Sequence, residues 1–317
     1  MIRTVNLDTN SQAEVTPTTL KTLNLKNTWL ELVEPTKEEV ECVSDKTGVP
    51  QNFLELPAAD GLVNLRLDDN FTIVNFAIIQ DVITSKEVHP IVMGFCKDFL
   101  VTVSKKADQH IIDLAKKRMS KTKIDPPAQV IYFIIDEAVS NHFTQLEKIE
   151  ELTSAIEEEV LEKTSQQTLK NIFTLKSNLI TLNKTLWYER SLVFNLKKCG
   201  DTCMPAKTRA LFDATHEALT RQIDIVETYR EILSDAINVH LSATSNKINF
   251  SIKSLTVVIF YLTVITTLTS FPNTVATFFG ISQFGNTDTP IIAATITLSI
   301  ILPLLWLWRK RWLKYND

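Results

Sequence analysis

No charged residue occurs between Ser254 and Thr287, and a second uncharged stretch follows Asp288 and Pro290 as far as Trp308. A helix that crosses a bilayer's hydrocarbon needs roughly 20 apolar residues. Both stretches reach that length, and nothing before residue 250 does. The expectation is a large water-exposed body on a small membrane base of two spans.

The first span carries an unusual polar line. Asn249, Thr256, Thr263, Ser270 and Thr277 recur every seven residues, and Ser242 extends the series upstream. Seven residues are close to two helical turns, so these side chains share one face. A neighbouring line holds Ile252, Ile259, Thr266, Asn273 and Gly280, while Leu255, Val258, Leu262, Ile265 and Leu268 between the lines are apolar. Polar groups in hydrocarbon need partners or water. Two readings compete. In one, the hydroxyls are glue between helices or bond their own i−4 carbonyls. In the other, the stripe lines a wet pore, which requires a ring of identical subunits because two spans cannot enclose one.

Arg309, Lys310, Arg311 and Lys314 follow the second span, whereas the loop between the spans has no Lys or Arg. Lys247 and Lys253 flank the start of the first span. The positive-inside rule then expects both termini in the cytoplasm, with Trp306, Trp308 and Trp312 as an interfacial belt. Residues 1–27 are polar, without the apolar core of a signal peptide.

A net charge of −4 gives no sign of nucleic-acid binding. The six glycines form no phosphate-binding loop, which argues against an ATP-driven pump. The histidines show no metal spacing, and no nucleophile–base pair stands out, so an enzyme is not expected. Cys199, Gly200, Cys203 and Pro205 read as a turn between helices.

Along the rest of the chain, 1–27 reads as a flexible lead and 28–127 as an α/β domain. Strands are expected at 28–33, 62–67, 71–79, 90–95 and 99–103, with a hairpin turn at Asp68-Asp69-Asn70. Thr36 and Glu39 have the spacing of a capping box, and 107–119 is a short amphipathic helix. Residues 128–253 form a long helical hairpin and a stalk helix, which turns at 199–205. The stalk helix is expected to run from Ala206 without a breaker until Pro272, about 65 residues or roughly 100 Å. The first span is 254–282, an external loop 283–288, the second span 289–308, and 309–317 a basic cytoplasmic tail. The acidic run 147–162 is either a solvated face or a partner surface.

The run Asp224, Val226-Glu227-Thr228-Tyr229-Arg230-Glu231, Ser245-Asn246-Lys247-Ile248-Asn249 and Lys253-Ser254-Leu255-Thr256 resembles the point where the stalk enters the membrane in the CorA family of divalent-cation channels. Trp29 with Glu34-Pro35-Thr36, Phe99 to Val103, and Ile134-Ile135-Asp136 add to the resemblance. That two-span superfamily also holds ZntB. The resemblance implies a CorA-like funnel: an α+β cytoplasmic domain, then long helices and two C-terminal transmembrane helices, assembled as a homopentamer in the cell (inner) membrane. It implies Mg2+ as cargo and regulatory ligand, no organic cofactor and no nucleic-acid partner.

Two departures stand out. The family's Gly-Met-Asn triplet at the outer pore mouth is missing, and Gly280, Ile281 and Ser282 occupy the equivalent place. Asn273 beside Pro272 offers another amide, either facing the lumen or satisfying backbone freed by a kink. The resemblance also implies regulatory carboxylates between subunits. Asp81 matches one, but the stalk position is Asn238, with Asp235 one turn before it. Ile252 and Ile259 are then expected as apolar constrictions. The competing functions are a Zn2+ or other divalent-cation transporter of ZntB type and a non-conducting membrane scaffold or sensor.

Overall fold

The computed structural model describes residues 1–280 apart from 10, 56–62, 68–69, 82–86, 121–126, 163–164 and 201–203, together with Pro290, Ala294, Thr297, Leu298, Ile301 and Leu305. The chain divides into two units, Met1–His240 and Leu241–Asp317.

The first unit is built on a seven-stranded sheet. Its strands are β1 (Ile2–Asn6), β2 (Gln12–Val15), β3 (Thr28–Val33), β4 (Asn64–Leu67), β5 (Thr72–Asp81), β6 (Glu87–Phe95) and β7 (Phe99–Ser104), in the order β2-β1-β3-β7-β6-β5-β4. Among the described residues only the β3–β7 pairing is parallel. Successive side chains on a strand point to opposite faces. In β5 and β6, Val74, Phe76, Ile78, Ile91, Met93 and Phe95 join one core, while Ile73 and Val92 join the other. A sheet covered on both faces explains why β7 is buried along its whole length.

One face is covered by short helices, α1 (Pro17–Leu20), α2 (Lys37–Thr47) and α3 (Gln51–Leu54). Their buried Leu20, Val40, Val43 and Leu54 pack with the sheet residues of that side. The capping box forms as its spacing requires: Glu39 N donates to Thr36 Oγ1 at 3.3 Å and Thr36 N donates to Glu39 Oε2 at 2.8 Å. Gly48 ends α2 with φ 76°, where a Cβ would be strained.

The other face carries α4 (Gln109–Met119), α5 (Ala128–Glu162), α6 (Gln166–Lys198) and the first part of α7 (Ala206–Gly280). The apolar line of α5, from Ile131 and Ile135 through Val139 to Leu146 and Ile149, belongs to the same core as Trp29 and Phe76 of the sheet.

Two expectations are corrected. The described residues of the lead 1–27 include β1, β2 and α1, where a flexible lead was expected. β1 pairs with both β2 and β3, burying Ile2, Val5 and Leu7, because a short polar strand gains its hydrogen bonds from a neighbouring edge. Residue 127 is not a boundary, since α5 shares one core with the sheet. The stalk helix runs through Pro272 as the expected first span 254–282 requires, and α7 continues to Gly280. Antiparallel pairing of Leu67 with Thr72 agrees with a hairpin there, although residues 68 and 69 lie outside the described residues.

Candidate ion pathway

In the second unit α7 is the one helix, among the described residues, that is long and apolar enough to cross a membrane. Asn249, Ile252, Thr256, Ile259, Thr263, Thr266, Ser270, Asn273 and Thr277 are all helical and all exposed in the single chain. Leu255, Val258, Leu262 and Ile265 are exposed as well, as expected for a helix whose surroundings are lipid or another helix.

The threonines bond their own helix. Thr256 Oγ1 donates to Ile252 O, Thr263 Oγ1 to Ile259 O, Thr266 Oγ1 to Leu262 O and Thr277 Oγ1 to Asn273 O, each at 2.8 Å. Thr267, Thr269 and Thr274, off the stripe, do the same, so the bond is a helical habit of threonine rather than a mark of the stripe. Its consequence is chemical. A hydroxyl whose proton is committed inward presents only acceptor lone pairs outward. Register then decides which of these oxygens line up along one face.

Gly280 is the last residue of α7. Ile281 and Ser282, the rest of the expected outer mouth, lie outside the described residues, as do the basic tail, Trp306, Trp308 and Trp312. The six described residues of the expected second span are helical and exposed.

In the first unit Asp81 ends β5, half-buried, just beyond a register shift between Ile79 and Asp81. It borders a cavity of about 10 Å³ with Asn178, Thr181 and Thr185 of α6. Asp235 and Asn238 are exposed on α7. Among the described residues of one chain, no group of three or more His, Cys, Asp or Glu side chains is placed to hold a metal ion.

Sequence reading missed the polar contacts that fix α7 in the first unit. Asp136 of α5 accepts from Thr215 Oγ1 of α7 at 2.8 Å and pairs with Arg118 of α4 at 2.8 Å. Burial works against the Arg118 charge, but hydrogen bonds to Asp136 and Glu137 outweigh it and raise its pKa. Lys176 Nζ of α6 donates to Ser234 Oγ of α7 at 2.6 Å. Deeper in the bundle, His142 Nδ1 of α5 lies 3.3 Å from Gln222 Oε1 of α7 and 3.6 Å from Glu189 Oε2 of α6. A signal for this set existed. Glu189 interrupts an apolar helical line of Leu182, Leu186, Val193 and Leu196.

The family model described as CorA-like Mg2+ transporter protein matches residues 24–311. The cobalt/magnesium transport protein CorA of Thermotoga maritima is 35% identical over 129 residues, 41% of this chain and 37% of that protein. The chain thus aligns with well under half the length of the curated relatives it first matches, 37% and 41%. Among solved structures, the complete CorA magnesium transporter from Methanocaldococcus jannaschii superposes with TM-score 0.73 at 17% identity, covering 98% of both chains. The ZntB cytoplasmic domain from Vibrio parahaemolyticus matches with TM-score 0.61 at 14% identity, covering 78% of this chain and 98% of that one.

Proposed function

Because the chain belongs to the CorA-like Mg2+ transporter family, we propose that it moves divalent cations across the cell membrane, conducting Mg2+ inward through a homopentameric channel. The observation that carries this reading is the line of exposed Thr256, Thr263 and Thr277, spaced by multiples of seven residues, whose hydroxyls donate to their own helix and keep only acceptor lone pairs for a neighbour. Mg2+ gives up its water shell reluctantly. The hydrated ion meets its surroundings with water hydrogens, which need acceptors. Neutral threonine oxygens hold that shell without the tight binding a carboxylate would impose.

In this reading both termini are cytoplasmic and the second span, 289–308, rings the first. The driving force is the inside-negative potential, about 2.3 kcal/mol per elementary charge per 100 mV. Asn249 and the Thr line pass the hydrated ion. Ile252 and Ile259 narrow the path where it can dewet and close. Asn273, or Gly280 with Ile281 and Ser282, replaces the missing triplet at the outer mouth.

Regulation by Mg2+ at Asp81, Asp235 and Asn238 needs ligands from two chains, since a single chain gathers no carboxylate cluster among its described residues. With Asn238 neutral, such a site is weaker than one with two carboxylates.

A second reading, Zn2+ transport, is favoured by the likeness to a ZntB cytoplasmic domain and by the missing triplet. Proteoliposomes holding a fluorescent indicator separate the two. Potential-driven uptake of Mg2+ supports the channel, and uptake of Zn2+ alone supports the second reading. Asn249→Ala is expected to alter flux with the pentamer intact. No uptake of any divalent ion from a well-folded pentamer would leave a non-conducting scaffold.

A further inference from the structure

At the centre of the α5–α6–α7 bundle a carboxyl group is buried with almost nothing to hold it. Glu189 and Gln222 are 0% exposed and His142 1%. Gln222 Nε2 donates to Val139 O at 2.8 Å, and His142 Nδ1–H donates to Gln222 Oε1 at 3.3 Å. That leaves His142 Nε2, both Glu189 carboxyl oxygens and Gln145 Oε1 without a protein hydrogen-bond partner among the described residues. The nearest ionisable partner of Glu189 is His142, whose Nδ1 lies 3.6 Å from Oε2 and is already committed to Gln222.

An ionised carboxylate in such a place would need donors to offset its lost hydration. None is supplied. Among the charges flanking the cluster, Glu147 and Lys148 on α5 and Asp224 on α7 are exposed, Arg221 on α7 pairs with exposed Glu217, and Arg190 on α6 stacks on Trp187. Burial is the sole influence on Glu189 and raises its pKa well above the ordinary carboxylate range, with no charge on the helices or the sheet opposing it. Burial likewise lowers His142 to about 4, against a smaller raising by the bond to Gln222.

We infer that Glu189 and His142 form a proton-dependent joint in the bundle that anchors α7, closed while Glu189 is a neutral acid and loosened when alkalinisation removes its proton. In the closed state the neutral imidazole keeps its hydrogen on Nδ1, the carboxyl keeps its acid proton, and the pair has no net charge. Losing that proton leaves a buried negative charge, and the bundle relieves it by admitting water between α6 and α7. One proton separates the closed and open forms. Above the ordinary histidine pKa the opening equilibrium therefore rises about tenfold per pH unit, up to the raised glutamate value in the closed bundle; at lower pH, proton uptake by the opened His142 offsets the release from Glu189. Any effect of this joint on ion flux rests on the transport reading above, but the joint itself does not.

The test is hydrogen exchange of the full-length protein in detergent, corrected for intrinsic rates, compared between pH 6 and pH 8.5. Amides around Glu189 and Gln222 are expected to lose protection at the higher pH in the wild type. In Glu189→Gln, which mimics the neutral acid, protection should stay constant. Should that variant fail to fold, Glu189→Met fills the same space without titrating and carries the same expectation. Equal loss of protection in the wild type and the variant overturns the joint. So does a variant already less protected than the wild type at pH 6, the result expected of an ionised Glu189–His142 pair. Transport is not measured, so the outcome is independent of which ion, if any, the protein conducts.

Discussion

Lys116 Nζ of α4 stands 2.7 Å from Oε2 of Glu31, a carboxylate in the middle of β3 that is 0% exposed. The ammonium also lies over the Trp29 ring at 5.3 Å, and Trp29 Nε1 donates to Thr102 Oγ1 at 2.9 Å. This pair fastens α4 to the sheet. Removing one partner leaves the other charge buried alone. Lys116→Met is expected to cost about 3–5 kcal/mol in urea unfolding, and the double variant Glu31→Leu with Lys116→Met should recover most of it. A double variant as unstable as the single one would show that the site depends on packing instead.

His142 makes the bundle acid-sensitive. Its pKa is lowered to about 4, so between pH 6.5 and 4 the unfolded chain takes up a proton that the folded chain refuses. Its contribution to stability therefore falls as pH falls, by about 3 kcal/mol over that window. The stability gap between wild type and His142→Gln should narrow accordingly in unfolding curves taken at pH 7 and pH 4.5. A constant gap would mean that the ring is charged or hydrated in the folded state.

Register, not hydroxyl content, is expected to govern flux. Thr263→Val removes an acceptor on the stripe, and Thr269→Val removes one off it, although both threonines bond their own helix. One hydrogen bond to the shell of a charged ion is worth about 1.5 kcal/mol, roughly tenfold in rate. Mg2+ uptake into proteoliposomes should slow by that order in Thr263→Val and stay near wild type in Thr269→Val. Equal effects would remove the stripe from the pathway.

Restoring a carboxylate at the stalk should tighten regulation. Asn238→Asp adds a hard oxygen ligand beside exposed Asp235. The internal Mg2+ concentration that halves uptake is expected to drop several-fold, read by varying the Mg2+ trapped in the vesicles. An unchanged value would place the regulatory ligands elsewhere.

The long helices were legible because their patterns are local. α6, Gln166–Lys198, lies within the expected helical stretch 128–253, and the Thr36–Glu39 box caps α2. β1 and β2 were not legible. Their residues alternate weakly, and what orders them is the open edge of β3, a partner distant in sequence. The polar stripe was visible as spacing, and the structure shows the i−4 hydroxyl bonds that one of its two readings named, while the choice between helix contact and pore needs the neighbouring chains. The expected first span crosses Pro272, and α7 does pass through it, since a proline removes one helical hydrogen bond and the neighbouring turns can hold the helix.

The self-bonded threonines also bear on how such a protein is made. A span with five or more free hydroxyls would resist transfer into lipid until partner helices arrived. Here Thr256, Thr263, Thr266, Thr267, Thr274 and Thr277 each leave the aqueous phase with the hydroxyl proton already bonded within the same helix. On the proposed membrane reading, a lone subunit enters the bilayer with these hydroxyl protons already satisfied, before any partner helix is met.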